Sequence, residues 1–299
     1  MTPPHISVCI CTYKRPFLLN RLLTKLNRQE TGGFFTYSIV VADNDEAKSA
    51  AIIVEEFRST CSMPVKYCVE PRQGIALARN KVVKNADGDF LAFIDDDEFP
   101  ASNWLLTLFK TCNAYMVDGV LGSVKRHFDE VPPAWLLKSK LYERRINPTG
   151  MRVDWHEART SNVLLKRQIL IGDSAPFRPE LRSGEDQDFF WRKIEEGRVF
   201  VWSADAEAFE IIPPARWKRK YLLKKALLRG ACATLQPSYG PVSIAKSIIA
   251  VPLYALVLPF ALLAGQHRFM TLMVSLCDHL GKLLTLVGLN PIKEAYVTE

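Results

Sequence analysis

Short apolar runs alternate with segments of helical periodicity through the first hundred residues. The apolar runs cover residues 6–11, 37–42, 65–69 and 89–94, and leucines at helical spacing fill 18–26. Runs that are apolar on both faces predict buried strands, and strands separated by helices predict a mostly parallel sheet with right-handed crossovers. The N-terminal part is therefore expected to have an α/β fold, with helices flanking the sheet.

Polar residues stand directly after three of the predicted strands. Thr12 and Tyr13 follow the first strand, residues 43–45 (Asp-Asn-Asp) the second, and residues 95–97 (Asp-Asp-Asp) the fourth. In open α/β sheets, ligands bind beyond the C-terminal ends of the strands. These three segments are thus expected to form one ligand-binding edge.

The composition changes at residues 213–214 (Pro-Pro), which divide the chain into two predicted parts. Residues 1–212 are expected to form one α/β domain, and residues 213–299 a basic linker with an apolar helical tail. The tail has eleven Lys/Arg against three Asp/Glu, a balance of +8, whereas residues 1–212 have a balance of −1, so the basic character of the chain (net +7) belongs to the tail. A basic segment beside an apolar one fits an anionic membrane surface, and no nucleic-acid partner is expected.

Two apolar stretches in the tail predict contact with a membrane. Residues 247–265 contain no charged residue, although Pro252 and Pro259 interrupt them, and residues 269–289 form a second stretch diluted by three polar positions. A spanning helix needs about 20 apolar residues. We expect a membrane hairpin, or one bent span with an interfacial helix. The alternative is an apolar helical pair that packs on the domain or on a partner subunit.

The seven cysteines are scattered and show no zinc-ligand spacing. No basic segment precedes the short apolar run 6–11, so no secretory signal is predicted. Reduced thiols in a cytosolic domain are the expectation.

The three consecutive aspartates after the fourth strand predict a cation site. Like charges at such short range repel and raise each other's pKa, which makes the cluster costly without a cation. Strand alternation places Asp95 and Asp97 on one side and Asp96 on the other. Two carboxylates on one side suit Mg²⁺ or Mn²⁺ bound together with substrate phosphates. A solvated acidic turn that caps the next helix is the structural alternative.

Other residues at the same edge have the chemistry to bind a nucleotide. Asp43 could accept a hydrogen bond from a base or ribose, and Tyr13 could stack on the base. Gly74 permits close approach of the backbone to a ligand, and Arg79 and Asn80 lie two helical turns further on. Each of these residues also has an ordinary structural explanation, as a cap, an aromatic wall or a solvated arginine.

A second acidic cluster, residues 184–188, predicts the general base. Deprotonation of an acceptor hydroxyl requires a carboxylate near the reacting carbon, and Asp186 stands just after a glycine at a predicted helix start. The alternative is that Glu185 and Asp188 only complement the helix dipole in the first turn.

In this order and spacing, the motifs resemble glycosyltransferase family 2, whose inverting enzymes have the nucleotide-diphospho-sugar transferase fold known as GT-A. The similarity covers about residues 5–212. The matching positions are Thr12, Tyr13 and Arg15 in the first turn, Asp43, the Gly74–Asn80 helix with Arg79, the Asp95 and Asp97 ends of the D-x-D motif, Ser161–Asn162, and the Glu185–Asp186 pair.

The resemblance implies a role for each of these positions. The donor side would include Asp45 and Asp96 in addition to the residues of the first turn, Asp43 and the Gly74–Asn80 helix. Asp97 and Asp95 would hold Mn²⁺ or Mg²⁺, and Asp186 would be the catalytic base. The acceptor side would comprise Ser161, Asn162, Glu185 and Trp191.

The resemblance also implies a reaction. A single displacement at the anomeric carbon would move one sugar from a UDP-sugar, with UDP-glucose as the expected donor, to a saccharide acceptor. The opening segment and the tail are most similar to bacterial exopolysaccharide enzymes of the succinoglycan-glucosyltransferase type. The expected acceptor is accordingly a lipid-linked oligosaccharide, met at the cytoplasmic face of the inner membrane.

Two departures from the family pattern limit the interpretation. The stretch 207–210 lacks the histidine that many members carry near the metal, so its role is absent or taken by Glu210. The Q-x-x-R-W motif of processive synthases is also absent, which favours addition of a single sugar.

Two alternatives remain open: a sugar-phosphate nucleotidyltransferase, and an inactive, membrane-tethered subunit that binds nucleotide-sugar. The sequence has no G-x-G-x-x-G motif after a strand and no P-loop, which disfavours dehydrogenases and kinases.

Overall fold

A computed structural model describes residues 2–181, 183–235 and 239–289. The described residues divide into two compact units. The first contains 2–125, 144–180 and 185–211; the second contains 126–143, 181, 183–184, 212–235 and 239–289. The second unit thus includes residues 126–143, which the sequence analysis assigned to the α/β domain.

The first unit is built around an eight-stranded sheet. Its strands are ordered β3-β2-β1-β4-β7-β6-β8-β5. They are β1 (His5–Thr12), β2 (Thr36–Asp43), β3 (Val65–Val69), β4 (Phe90–Ile94), β5 (Glu98–Pro100), β6 (Gly119–His127), β7 (Asn162–Lys166) and β8 (Phe200–Ile211).

The sheet is mixed rather than mostly parallel. Strands β1 to β4 pair in parallel, as predicted, and bring Thr12 opposite Asp43 at their C-terminal ends. Beyond β4 the pairs β4–β7, β6–β7 and β5–β8 are antiparallel. The prediction rested on the first four strands, which helices connect one to the next, whereas no local signal fixes which neighbours the later strands pair with.

Helices cover both faces of the sheet. They are α1 (Pro16–Leu26), α2 (Ala51–Arg58), α3 (Ile75–Asn85), α4 (Trp104–Ala114) and α6 (Glu185–Glu195). One buried core joins α1, α2 and α4 to one side of the sheet, and a second joins α3 and α6 to the other. Apolar residues at strand and helix spacing produce this three-layer arrangement, as the sequence predicts.

The second unit is helical. It contains α5 (Ala134–Ser139), α7 (Pro214–Trp217), α8 (Arg219–Ala233), α9 (Pro241–Leu263) and α10 (Gln266–Leu286). Most of the predicted basic linker forms α8. Helix α9 continues through Pro252 and Pro259, and both α9 and α10 are long and apolar enough to cross a membrane.

Candidate active site

The C-terminal ends of β1 and β4 are joined by side-chain hydrogen bonds. The Thr12 hydroxyl donates to Asp96 Oδ2 at 2.8 Å, and the Arg15 guanidinium donates to Asp96 Oδ1 at 3.0 Å and to Asp97 Oδ2 at 3.3 Å. Pro16 begins α1 directly after the loop and so places Arg15 at the helix N-cap. The predicted edge thus brings together the first and fourth strands through opposite charges.

Asp96 is held by the protein on both of its oxygens and is buried. Burial raises the pKa of the Asp96 carboxyl, and the Arg15 guanidinium opposes that rise. The donor-side role predicted for Asp96 would therefore be to fix Thr12 and Arg15 in place.

Asp43 is fully buried at the end of β2, where it organises the chain locally. Its Oδ1 accepts from the amide of Asp45 at 3.1 Å, and its Oδ2 accepts from the amide of Ala50 and the Tyr67 hydroxyl, each at 2.8 Å. Asp45 Oδ1 accepts from the amide of Ala47 at 3.3 Å. Contact of Asp43 or Asp45 with a nucleotide stays a prediction.

Asn44 controls the position of the segment before α3, a role that the sequence analysis missed. Its Nδ2 donates to the carbonyls of Glu70 and Arg72 at 2.8 Å, and its Oδ1 accepts from the amide of Gly74 at 2.9 Å. Gln73, in the same segment, donates from its amide to the Tyr13 hydroxyl. Asn44 thereby brings Gly74 and Gln73 to the sheet edge beside Tyr13.

Asn80 and Arg79 on α3 have different surroundings. Asn80 exchanges hydrogen bonds with the backbone of Phe177, at 2.7 Å from its Nδ2 to the carbonyl and 3.0 Å from the amide to its Oδ1. This gives Asn80 a structural role, and its predicted contact with the donor is not tested. Arg79 is buried, packs over the Phe177 ring, and pairs with Glu185 on α6.

Arg79 connects the two acidic clusters. Its Nη2 lies 3.9 Å from Asp95 Oδ1, and Asp186 contributes to the negative potential that raises its pKa. Burial raises the pKa of Glu185, while its partner Arg79 lowers it. One buried guanidinium therefore links the end of β4 to the start of α6.

Asp186 differs from the carboxylates on either side of it. Asp188 is buried between Arg178 and Arg192, at 3.1 and 2.9 Å, and Glu185 is paired with Arg79. Asp186 is half-buried, and its Oδ1 accepts from the amide of Gln187 at 2.8 Å. Of the three, Asp186 is the one that is not buried, and its role as the base stays a prediction.

A carboxylate without a hydrogen-bond partner lies beside the aspartates. Glu98 is 1% exposed, and both of its oxygens are buried with no partner. Antiparallel pairing of β5 with β8 sets Glu98 opposite Glu210, whose Oε2 accepts from Arg144 Nη2 at 2.6 Å. Burial raises the pKa of Glu98, and the negative charge of Asp95 raises it further.

The residues predicted for the acceptor side make different kinds of contact in the structure. Ser161 accepts from Arg144 Nη1 at 3.2 Å. Asn162 is buried between strands, where it accepts from Trp104 Nε1 at 2.7 Å and donates to the carbonyls of Ser123 and Ala206 at 2.9 Å. Trp191 is half-buried on α6. The structure gives Asn162 a structural role, and acceptor binding by this set stays a prediction.

The carboxylates fit a divalent cation that substrate phosphates help to bind. The described residues contain no ready-made cluster of three His, Cys, Asp or Glu ligands. However, both oxygens of Glu98 lack a hydrogen-bond partner and the side chain of Asp95 is 42% exposed, so carboxylate oxygens that could bind or support a cation lie beside Asp97. Mg²⁺ and Mn²⁺ commonly take one or two protein carboxylates and complete their coordination with phosphate and water.

Comparison with known proteins decides the family. The sequence profile described as "Glycosyl transferase family 2" matches residues 7–180. The chain belongs to this family. It is 32% identical over 230 residues to the "Succinoglycan biosynthesis protein ExoM" of Rhizobium meliloti (strain 1021), a match that covers 76% of the chain and 73% of that protein.

Solved structures show the same fold. The mannosyltransferase PcManGT of Pyrobaculum calidifontis, in complex with GDP-Man and Mn²⁺, aligns at a TM-score of 0.64 with 18% identity, covering 98% of this chain and 89% of that one. S. aureus TarS 1–349 in complex with UDP aligns at 0.55 with 16% identity, covering 96% and 92%. The GT-A fold and the assignment as a glycosyltransferase are therefore confirmed.

Sequence reasoning missed the partners that assemble the site. Asn44 lay in the polar run 43–45, but nothing in the sequence indicated that it positions the segment before α3, and Arg144 gave no signal in its polar surroundings. Glu98 was visible as the end of the acidic run, but its burial was not. Its alignment with Glu210 could be predicted only from a register between β5 and β8.

Proposed function

We propose that this family 2 glycosyltransferase is an inverting enzyme that transfers one sugar from a UDP-sugar, with UDP-glucose as the expected donor, to a lipid-linked saccharide. The observation that carries the proposal is the position of Arg79 between Asp95 and the Glu185–Asp186 pair. This arrangement provides a site for the donor diphosphate next to a carboxylate that can act as a base. The family assignment favours transfer over nucleotidyl transfer or an inactive binding subunit.

The donor would bind along the edge formed by the first two strands and α3. Tyr13, held by Gln73, offers a ring for the nucleobase. The backbone around Gly74, fixed by Asn44, offers a surface for close approach. The positive charge of Arg15 pairs with the carboxylates of Asp96 and Asp97, and it thereby reduces the electrostatic repulsion between them.

Transfer then requires one proton movement and one displacement. Asp186 accepts the proton of the acceptor hydroxyl while that oxygen attacks the anomeric carbon of the donor. The bond between the anomeric carbon and the diphosphate oxygen breaks, and its electron pair leaves with UDP. Attack on the face opposite to the leaving group inverts the configuration of that carbon.

Asp95 and Asp97 would hold a divalent cation, Mn²⁺ or Mg²⁺, which when bound neutralises charge on the departing diphosphate. Glu210 adds negative potential beside Asp95. Arg144 limits the repulsion through its contact with Glu210. Glu210 thus occupies the part of the sequence where the family histidine is missing.

The second unit supports the proposed acceptor and location. Its outer helix α9 exposes large apolar side chains, including Leu256 at 69% and Leu263 at 87%. Membrane attachment would bring the enzyme to a lipid-linked acceptor at the cytoplasmic face of the inner membrane. The succinoglycan-related name of the relative from Rhizobium meliloti supports a role in surface polysaccharide synthesis.

A donor screen tests the proposal. Purified protein with membrane lipid extract should release UDP from one UDP-sugar in the presence of Mn²⁺ or Mg²⁺. The same donor with metal should raise the melting temperature, and EDTA should remove that increase. A melting temperature unchanged by every nucleotide-sugar, with no release of nucleotide, would contradict the assignment.

Substitution at the base separates binding from chemistry. Asp186→Asn should retain donor-induced stabilisation and lose transfer by roughly 10²–10⁴-fold, the usual contribution of a general base. Asp205→Asn is the matched control, because Asp205 is exposed on β8. Turnover of Asp186→Asn at the control's rate would remove Asp186 from the mechanism.

A further inference from the structure

Helix α9 combines an apolar surface with almost no charge. Ser247 and Tyr254, seven residues apart, both contact His279 of α10, and Ala261, a further seven residues on, is buried. The opposite positions Ile249 and Leu256 are 67% and 69% exposed. A helix that exposes such a surface along 23 residues needs a partner with apolar chemistry.

Helix α10 lies between α9 and α8. Met270 is buried in the core that α8 forms with α5, whereas His279 is nine residues, or about two and a half turns, further on. His279 therefore faces the other way, where its Nδ1 lies 3.0 Å from Ser247 Oγ and its ring contacts Tyr254 of α9. The three helices form successive layers in the order α8, α10, α9.

Contact between α8 and α10 is close and fixes the two helices to each other. A Cβ added at Gly230 would lie 2.0 Å from the carbonyl oxygen of Asp278, and one added at Gly281 would lie 2.3 Å from that of Leu227. Arg229 Nε also pairs with Asp278 Oδ1 at 2.7 Å. These contacts run along the middle and C-terminal half of α10.

The position of α8 argues against a membrane-spanning α10. Lys225 and Arg229 are exposed on α8 alongside the body of α10, since α8 meets α10 at Gly230–Asp278 and at Leu227–Gly281. If α10 crossed a bilayer, these charges would lie at hydrocarbon depth, where Lys and Arg are strongly disfavoured. Helix α9 is antiparallel to α10 across a link of two residues, 264–265, and packs along it, so neither helix can cross without the other.

We infer that α9 lies in the plane of an anionic bilayer surface, as a monotopic attachment, and that neither α9 nor α10 spans the membrane. This deepens the attachment in the proposed function and rests on it. The exposed charges nearest the two ends of α9 are basic, Lys246 near its start and Arg268 after the link. Helix α9 carries no Asp or Glu, so it complements anionic headgroups.

The outward stripe of α9 provides a direct measurement of depth. Positions Ile249, Leu256 and Leu263 are seven residues apart on one face. Across a bilayer, 249 and 263 would differ in depth by about 21 Å, at 1.5 Å per residue. In the plane, the three depths would agree within about 5 Å, roughly one helical turn.

The experiment uses full-length protein added to vesicles of phosphatidylcholine with phosphatidylglycerol. Nitroxide labels are attached in turn to Ile249→Cys, Leu256→Cys and Leu263→Cys, and depth is measured by the accessibility of each label to oxygen and to a polar relaxation agent. Protein labelled only at its native cysteines gives the background. Equal depths support the inference, and a gradient approaching that of a crossing helix overturns it while leaving attachment intact.

Two controls separate this inference from the rest of the proposed function. Leu256→Asp should reduce vesicle binding at least tenfold, whereas Ile171→Asp, at an exposed apolar residue of the first unit, should not. If wild-type protein does not bind vesicles but forms dimers, a second copy covers α9, and both the in-plane inference and the proposed membrane attachment are overturned. Loss of sugar transfer with vesicle binding intact would contradict only the catalytic proposal.

Discussion

Removal of the Arg79 guanidinium should expose how strongly the two acidic clusters depend on one buried cation. Arg79 and Glu185 have side chains that are only 8% and 6% exposed. Arg79→Met leaves the Glu185 carboxylate buried without its partner, and loss of one member of a buried pair costs about 3–5 kcal/mol. For a domain of this size that corresponds to a fall in melting temperature of roughly 6–20 °C.

A double-mutant cycle isolates the pairing itself. Glu185→Gln should cost less than Arg79→Met, because the remaining arginine still has Asp95 within 3.9 Å. The double variant should be more stable than the sum of the single losses implies, with a coupling of about 2 kcal/mol for buried neighbours in contact. Thermal unfolding of metal-free protein, followed by circular dichroism, gives the stability of the wild type, the two single variants and the double variant.

The matched control is the exposed pair on α2. Arg58 and Glu55 are 3.0 Å apart but 37% and 73% exposed, so their coupling should be at most about 0.5 kcal/mol. If the Arg79–Glu185 coupling is as small as that of the control pair, the two side chains are not paired in solution. The bridge between β4 and α6 would then have to be assigned to other contacts.

Three further outcomes follow from the structure. Glu98→Gln should weaken Mn²⁺ binding by roughly tenfold or more, because groups that support metal ligands have effects of that size. The measurement is the dependence of melting temperature on Mn²⁺ concentration, with Glu55→Gln as the control, and an unchanged midpoint would exclude Glu98 from the site. Gly230→Ala should destabilise the α8–α10 contact by about 1–3 kcal/mol, as overpacking does, whereas Gly240→Ala, with nothing within 4 Å, should not; equal melting temperatures would contradict the close packing. Burial raises the pKa of Cys112 to about 11 and that of Cys9 well above its usual range, so neither should alkylate at pH 8 until urea is added; labelling of native protein at the denatured rate, detected by mass spectrometry, would refute this.

Local pattern was sufficient for the elements that make up the sheet edge. The apolar runs before Thr12, Asp43 and Asp95 predicted β1, β2 and β4, and their parallel pairing is confirmed. Prediction from one stretch of chain succeeds here because strand and helix periodicities are local properties of the backbone. The same reasoning located Asp186 at the start of α6, since a glycine and an acidic first turn mark a helix N-terminus.

Tertiary structure alone decided which charges meet. Glu98 lies beside Glu210 because β5 pairs with a strand far along the chain, and no local signal fixes that register. Arg79 is a buried bridge rather than a solvated arginine because α6 packs against α3 with Glu185 at the contact. The sequence by itself determined that α9 is apolar, but its exposed face depends on α10 lying between it and α8. An apolar helix can cover a core or enter a lipid surface, and only the packing of its neighbours distinguishes the two.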